Sequence, residues 1–378
     1  MLPLKTDPVM LKIHLHSYGV RISPRVGSFR KGGAGPVGKT LILNGGLVAS
    51  VPVIGSFVEK SPYKLLEENG ELRLYRGADY IGEVREVPTP RFYSQRTSDG
   101  TLMEKVALLH GVDCLASTVY QKCVYWDTGM RCKFCSIEHS LYEGQTILWK
   151  SPRQLAETAA KAEEEGVVKH VTLTTGTPNL NDRGARMLCE SVKAIKELTR
   201  LPVHVQLEPP NDLNEVAQLR AAGADTIGLH VESFDDKVLR EVCPAKRDKE
   251  RFIKCWKRAV EEFGENQVSS FLILGLGESD ESLLTGAEKM ARLGVIPFPV
   301  PLRPHPKTEL GDKAPPTPER TLKIYKAVLT VMESYGLHPE KCLAGCVRCG
   351  GCSAINDLRS AYPSISELNA SSIPCLEG

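Results

Sequence analysis

The stretch Cys123-Val-Tyr-Trp-Asp-Thr-Gly-Met-Arg-Cys132-Lys-Phe-Cys135 sets three thiols close together, separated by eight and two residues. The chain starts Met1-Leu-Pro-Leu-Lys5, with no apolar run of secretory-signal length, so the thiols read as metal ligands rather than disulfide partners. Three thiolates can hold three irons of a cubane and leave the fourth without a cysteine from this stretch. That open position is where a substrate or cofactor would bind. A three-cysteine zinc site, or buried thiols with no common role, are the competing readings.

Working outward, strand-like runs alternate with helical ones. The strands are expected at 114–120, 170–175, 203–208, 226–231, 269–274 and 295–302. Helices are expected at about 152–165, 182–199, 213–222, 235–242, 249–264 and 279–293, several opened by a capping residue such as Ser151, Asp182 or Ser279. Six such units predict an α/β chain: a partial (βα)6 TIM-like barrel, with chemistry at the carboxyl ends of the strands. Residues 1–110 are expected to form a β-rich N-terminal extension, 111–312 the barrel, and 313–378 a C-terminal helix and cysteine-rich cluster-binding segment. A helix at 316–335, opened by Thr317-Pro-Glu-Arg, would carry that tail back against the barrel mouth.

The composition excludes several classes. Across 378 residues, 48 basic side chains face 46 acidic ones, which gives no electrostatic case for nucleic acid or an anionic membrane. No stretch is long and apolar enough to span a bilayer, so a cytoplasmic protein is expected. Gly33-Ala-Gly-Pro-Val-Gly38-Lys39-Thr40 matches the phosphate-loop pattern literally, but a strand-like run follows it where a helix N-terminus is needed. A glycine-rich loop near an active site is the better reading.

The tail Cys342-Leu-Ala-Gly-Cys346-Val-Arg-Cys349-Gly-Gly-Cys352 supplies four more thiols, with glycines that let the backbone fold tightly. A structural zinc would also be satisfied by four thiolates. An auxiliary [4Fe-4S] cluster is the preferred reading, with Cys346, Cys349 and Cys352 the firmer ligands and Cys342 the natural fourth. Cys114, Cys189, Cys255 and Cys375 read as buried or incidental, while Val242-Cys-Pro-Ala-Lys-Arg247 resembles a substrate-side loop. His230 and Glu232 end the fourth strand and either contact cofactor or substrate or make structural hydrogen bonds. Arg303, His305 and Lys307 follow the sixth strand, as a basic group suited to a carboxylate or phosphate, or as a solvated loop.

This order of motifs resembles the radical S-adenosylmethionine (SAM) superfamily, specifically its biotin-synthase-related branch, over about residues 15 to 355. The commonest family spacing has three and two residues between the cysteines. Eight and two are similar to a subfamily found beside nitrilase genes and to the components of two-protein lipoyl synthases. The resemblance implies that Cys123, Cys132 and Cys135 bind a [4Fe-4S] cluster whose fourth iron is chelated by S-adenosyl-L-methionine. It implies cofactor contacts from Phe134, from the turn Thr175-Gly176-Thr177-Pro178, from Glu208, and from Gly275, Gly277 and Glu278. Glu208 reads alternatively as a surface carboxylate.

The implied chemistry is a 5′-deoxyadenosyl radical that removes hydrogen from an unactivated carbon, with no acid-base catalytic residue evident in the sequence. Sulfur insertion on an octanoylated carrier protein, as in lipoyl synthesis, is the preferred function. Its implied partners are an electron donor such as ferredoxin or flavodoxin and a second radical SAM protein. The alternatives are radical chemistry on a small molecule of a nitrilase-linked pathway, and a non-catalytic metal-cluster scaffold.

Overall fold

Side-chain alternation along six short runs decides the architecture. In the first four runs one set of residues is mostly small or polar and the other mostly Val, Leu or Ile, whereas the last two turn apolar side chains such as Phe271, Ile273 and Val300 to the lumen. The computed structural model describes residues 7–24, 26–27, 29–32 and 37–362. Their strands are β1 (Arg21–Ile22), β2 (Lys39–Ile42), β3 (Val48–Val51), β4 (Tyr63–Glu68), β5 (Glu71–Arg76), β6 (Asp79–Glu86), β7 (Leu108–His110), β8 (Cys114–Thr118), β9 (His170–Thr174), β10 (Val203–Gln206), β11 (Thr226–Gly228), β12 (Val268–Leu274) and β13 (Ile296–Pro301).

Strands β13-β12-β11-β10-β9-β8-β7 form one sheet in that order, parallel throughout except for the antiparallel pair β7 and β8. The expected six parallel strands are all present, and β7 is an addition that the sequence reading placed within the N-terminal segment. The outward face carries Leu115, Val171, Leu173, Val203, Val205, Ile227, Leu229 and Val231, all in the main core with the helices. Each such side chain, fully buried, contributes about 1.5–3 kcal/mol.

The crossover helices are Pro152–Glu164, Ala185–Leu198, Asn214–Ala221, Asp236–Glu241, Lys249–Phe263 and Asp280–Arg292. Ser151 caps the first through a reciprocal box with Gln154, and Ser279 caps the last through the Ser282 N–H. The helix expected to start at Asp182 instead has Gly184 at its cap, in a left-handed conformation, and the Asp182 carboxylate accepts the Arg186 N–H at 3.0 Å from one turn before.

Strands β1 to β6 form a second sheet in the order β1-β4-β5-β6-β2-β3. Helix Pro8–Tyr18 was not legible in the sequence because it is buried on nearly every side and carries no one-sided apolar stripe. Its Lys12, His14 and His16 are buried alongside Met10, Ile13 and Leu15. In the phosphate-loop-like stretch, Gly33 to Pro36 lie outside the described residues. Lys39 and Thr40 lie on β2, and the Lys39 ammonium is paired with Glu86, so neither sits at a helix N-terminus.

Candidate active site

A cavity of about 760 Å³ occupies the lumen of the parallel sheet. Phe134, Cys135, Glu232 and Ile273 border it near the carboxyl ends of the strands, while His110, Cys114, Cys346, Cys349 and Cys352 border it lower down. Phe29, Lys31, Val37, Pro52 and Ile54 close it from the N-terminal segment. Cys135 of the first thiol set and three thiols of the second, remote in sequence, therefore border one cavity.

The first set follows β8 on a loop held by main-chain bonds. The Val124 N–H donates to Thr177 O at 2.9 Å and the Lys133 N–H to Val242 O at 2.9 Å. Gly176 explains why the turn beneath is glycine: a Cβ there would lie 2.1 Å from the Lys122 carbonyl oxygen, beside Cys123. Arg131 stacks on Trp126 at 3.6 Å and donates to Cys135 O at 3.2 Å, bracing the loop's middle. Burial raises the Cys123 and Cys132 thiols and pushes Cys135 up to about 11, and Cys123 and Cys132 each lie within electrostatic reach of Cys135.

Glu208 is not a surface carboxylate. It is almost fully buried, and its Oε2 accepts from Arg183 at 3.0 Å, Thr177 at 3.2 Å and Tyr125 at 3.3 Å. This ties the ends of β9 and β10 to the cysteine loop. Arg183 holds that pairing in a left-handed conformation at φ 51°, where a non-glycine residue is uncommon. Glu278 is likewise occupied: it accepts the Gly275 and Gly277 N–H groups at 2.9 and 3.0 Å and pairs with Arg320 at 2.8 Å. Gly275 and Gly277 adopt φ values of 99° and 118°, which only glycine takes without strain. Thr177 and Glu208 thus brace the loop, and Thr175, Thr177, Pro178, Glu208, Gly275, Gly277 and Glu278 do not border the cavity.

His230 stacks on Phe271 at 3.8 Å, and its Nδ1 accepts the Phe271 N–H at 3.2 Å. Burial holds this ring well below the usual histidine range, so it is neutral and carries its proton on Nε2, which has no partner in the structure. Glu232 pairs with Lys246 at 2.5 Å, and Lys246 also donates to His230 O at 2.8 Å. Burial is the largest single influence on Lys246 and opposes its charge, but Glu232, Cys132 and Glu208 together hold the ammonium above its usual range. Arg303 borders the cavity with both terminal nitrogens buried and unpartnered, whereas His305 stacks on His139 at 6.1 Å. The Lys307 ammonium is paired with Glu143.

The tail departs from expectation. It does not return to the barrel mouth but meets the amino ends of the strands. Helix Pro318–Ser334, capped by Thr317, leads to a loop whose Ala344 O accepts from Thr226 at 3.3 Å and whose Gly345 N–H donates to His170 Nδ1 at 3.2 Å. Both partners are first residues of their strands. Gly345, at φ 91°, is pressed on the His204 ring, which a Cβ would approach to 2.5 Å. Polar residues at the strand starts are thus used to hold a chain segment inside the lumen.

One helical turn, Cys346–Cys349, puts two thiols on one face, and the left-handed Gly350 turns the chain so that Cys352 joins them. His110 lies against both Cys349 and Cys352, at 3.4 and 3.5 Å, and Gln206 donates to Cys346 Sγ at 3.4 Å. Cys342 stays apart. It packs in the main core, its thiol donates to Ala344 O at 3.3 Å, and it does not border the cavity.

The N-terminal segment grips this loop from the other side. Lys12 donates to Gly350 O at 3.0 Å and pairs with Asp357 at 2.5 Å, His16 donates to Gly351 O at 3.0 Å, and the Ser50 N–H donates to the same oxygen at 2.8 Å. The sequence reading missed Lys12, His16, Ser50, His110 and Gln206. No local pattern marks them, since each matters only through a contact with the tail.

Among the described residues, no three His, Cys, Asp or Glu side chains converge on a single metal-ion position. A cubane does not ask that of them, because each iron takes its own thiolate. The tail end also offers what a buried anionic cluster needs: unpartnered buried guanidinium donors from Arg303, and N–H donors from Gln206 and His110. These donors suit an anionic group beside the tail thiols. No helix among the described residues is long and apolar enough to cross a membrane.

With this geometry in place, similarity to known proteins narrows the chemistry. Residues 129–289 match the radical SAM superfamily. Those residues form a radical SAM domain, and the chain is similar to biotin synthase and lipoyl synthase over part of its length. It is 23% identical to a bacteriochlorophyllide c C-7(1)-hydroxylase of Chlorobaculum limnaeum, over 87% of this chain and 85% of that protein. It is 26% identical to a biotin synthase of Leptospira biflexa, over 52% of this chain and 56% of that one. It is 30% identical to a lipoyl synthase of Thermus thermophilus, over 43% and 50%. The chain therefore spans about half the length of these two synthases. Among solved structures, the hydrogenase maturase HydG of Carboxydothermus hydrogenoformans aligns over 58% of this chain and 51% of its own, with 20% identity and a TM-score of 0.46. The radical SAM family implies a [4Fe-4S] cluster and SAM, and its enzymes typically need an electron donor.

Proposed function

We propose that this enzyme inserts sulfur at an unactivated carbon held between two iron-sulfur clusters, with an octanoylated carrier protein as substrate and lipoyl cofactor synthesis as the setting. The supporting observation is the single cavity bordered by Cys135 on one side and by Cys346, Cys349 and Cys352 on the other. Cys123, Cys132 and Cys135 would hold the first cluster, and Cys346, Cys349 and Cys352 a second. When bound, the first cluster with SAM supplies a radical able to remove hydrogen from saturated carbon, and the second supplies sulfide.

The chain's own residues prepare the space. Phe134, Ile137, Phe271, Ile273, Val300 and Leu302 line it with apolar surface, which excludes water and suits an alkyl chain. The Glu232–Lys246 pair and the neutral His230 place polar atoms near the first thiol set without adding an unpaired charge. The glycine turns at Gly176 and Gly275 hold the SAM-side loops, with Thr175 to Pro178, Glu208, Gly277 and Glu278 around them, as the family resemblance implies.

The test is anaerobic reconstitution, iron and sulfide analysis, then mass spectrometry after incubation with SAM, reductant and an octanoyl-lysine peptide. About eight irons and a peptide that gains sulfur are expected. A peptide or tetrapyrrole that gains oxygen instead would favour chemistry like that named for the Chlorobaculum relative, which aligns over most of its length. Cofactor cleavage with no change to either would point to a different small molecule.

A further inference from the structure

Building on the reading that the tail holds a second iron-sulfur cluster, we propose that Cys114, on strand β8, is that cluster's fourth thiolate, in place of Cys342. Alternation along β8 turns Cys114 and Ala116 inward, and Cys114 borders the same cavity as Cys346, Cys349 and Cys352. Cys114 and Ala116 form a small buried cluster on which Cys349 packs directly. The turn between β7 and β8 is shaped for this approach: Gly111 adopts φ 60°, and a Cβ there would lie 2.6 Å from Cys349 Sγ. Cys114 is also within electrostatic reach of Cys346. Its thiol also contacts the Thr172 hydroxyl at 3.2 Å.

Cys342 could not exchange roles with it cheaply. The residues between Cys342 and Cys346 are pinned at each step: the Leu343 N–H donates to Gln267 at 3.1 Å, Ala344 O accepts from Thr226, and the Gly345 N–H donates to His170. Swinging Cys342 into the lumen would break this run of bonds and open a void in the core around a side chain only 5% exposed.

Charge favours a four-thiolate site. Such a cluster is anionic, and Arg303, with its buried unpartnered nitrogens, borders the cavity while Arg30 lies within electrostatic reach of Cys349 and Cys352. His110 is the rival ligand, its ring nitrogens lying 3.4 and 3.5 Å from the Cys349 and Cys352 thiols, and the experiment below separates it from Cys114. Ligation replaces each thiol proton with an iron bond and exchanges no electrons. Its structural effect is to tie the tail to the first barrel strand.

The experiment compares full-length variants after anaerobic reconstitution, by iron and sulfide content and by the EPR signal of the reduced protein. Cys342→Ala is expected to keep about eight irons and the wild-type signal, while Cys114→Ala loses the tail cluster or one of its irons. Cys114→Ser, which keeps the side chain's size and offers an oxygen ligand, is expected to retain iron with an altered signal; an unaltered signal with full iron would overturn the assignment. Loss of tail iron in Cys342→Ala with retention in Cys114→Ala would assign Cys342 instead. Nitrogen hyperfine coupling from labelled histidine that vanishes in His110→Ala would assign His110. About four irons in the wild type, all lost in Cys132→Ala, would remove the second cluster itself, and with it this ligand.

Discussion

The loop of Cys123, Cys132 and Cys135 and the tail of Cys346, Cys349 and Cys352 border one cavity and are built differently. The first is braced largely by its own neighbourhood: Arg131 on Trp126, the turn at Gly176, and the buried knot of Glu208, Arg183 and Tyr125. The second is held by residues from across the chain, including Lys12, His16, Ser50, His110, His170, Gln206 and Thr226. A site closed by local bonds is legible from a short motif. A site closed by distant ones keeps its spacing in the motif but takes its position from the fold.

The largest effect separates the two sites by function. Cys132→Ala should reduce 5′-deoxyadenosine to background, whereas Cys349→Ala should leave cofactor cleavage and end product formation, both read by mass spectrometry. Unchanged product in Cys349→Ala would erase the functional contrast between the two sites.

Next come the close approaches. Gly176→Ala and Gly345→Ala each force a Cβ against a fixed neighbour, at 2.1 Å from Lys122 O and 2.5 Å from the His204 ring. Each should lower stability by about 1–3 kcal/mol in urea unfolding. Iron analysis should show the first variant depleted at the barrel loop and the second at the tail. If both lose the same irons, the two sites are not independently braced.

Lys12→Met tests the grip from the N-terminal helix. Lys12 is buried while Asp357 is about one-fifth exposed, so the loss should fall near ~1–3 kcal/mol, below that of a fully buried pair. The tail cluster should become more sensitive to iron chelators while the barrel cluster does not.

A pH-dependent effect concerns the first loop's support. Lys150 is buried, donates to Gln121 Oε1 and Ile147 O at 2.9 Å, and is pushed by burial down to about 7 from 10.5. Between those values the unfolded chain binds the extra proton, so stability rises with pH through that window and is flat below it. The slope is at most about 1.4 kcal/mol per pH unit. Lys150→Met should remove it, which urea midpoints at pH 7 and 9 would show.

All six parallel strands and the helices between them were readable from period-2 and period-3.6 runs, because a buried parallel strand and its crossover helix each carry their own pattern. The three-thiol loop was readable for the same local reason. The helix Pro8–Tyr18 was not, since burial on nearly every side erases amphipathic contrast. Nor was the role of Glu278, whose acid suggests a ligand contact and whose bonds to Gly275, Gly277 and Arg320 show it bracing the turn.

By itself the sequence determined the barrel's element order, the spacing of both thiol sets and the class of chemistry, since these depend on near neighbours in the chain. Only the tertiary structure decided that the tail meets the amino ends of the strands, that Cys342 faces the core, and that Cys114 stands beside Cys349. Those facts depend on which distant surfaces pack together. The inward turn of a strand and the hydrogen bonds available at its first residues set them, and neither is written in any single stretch.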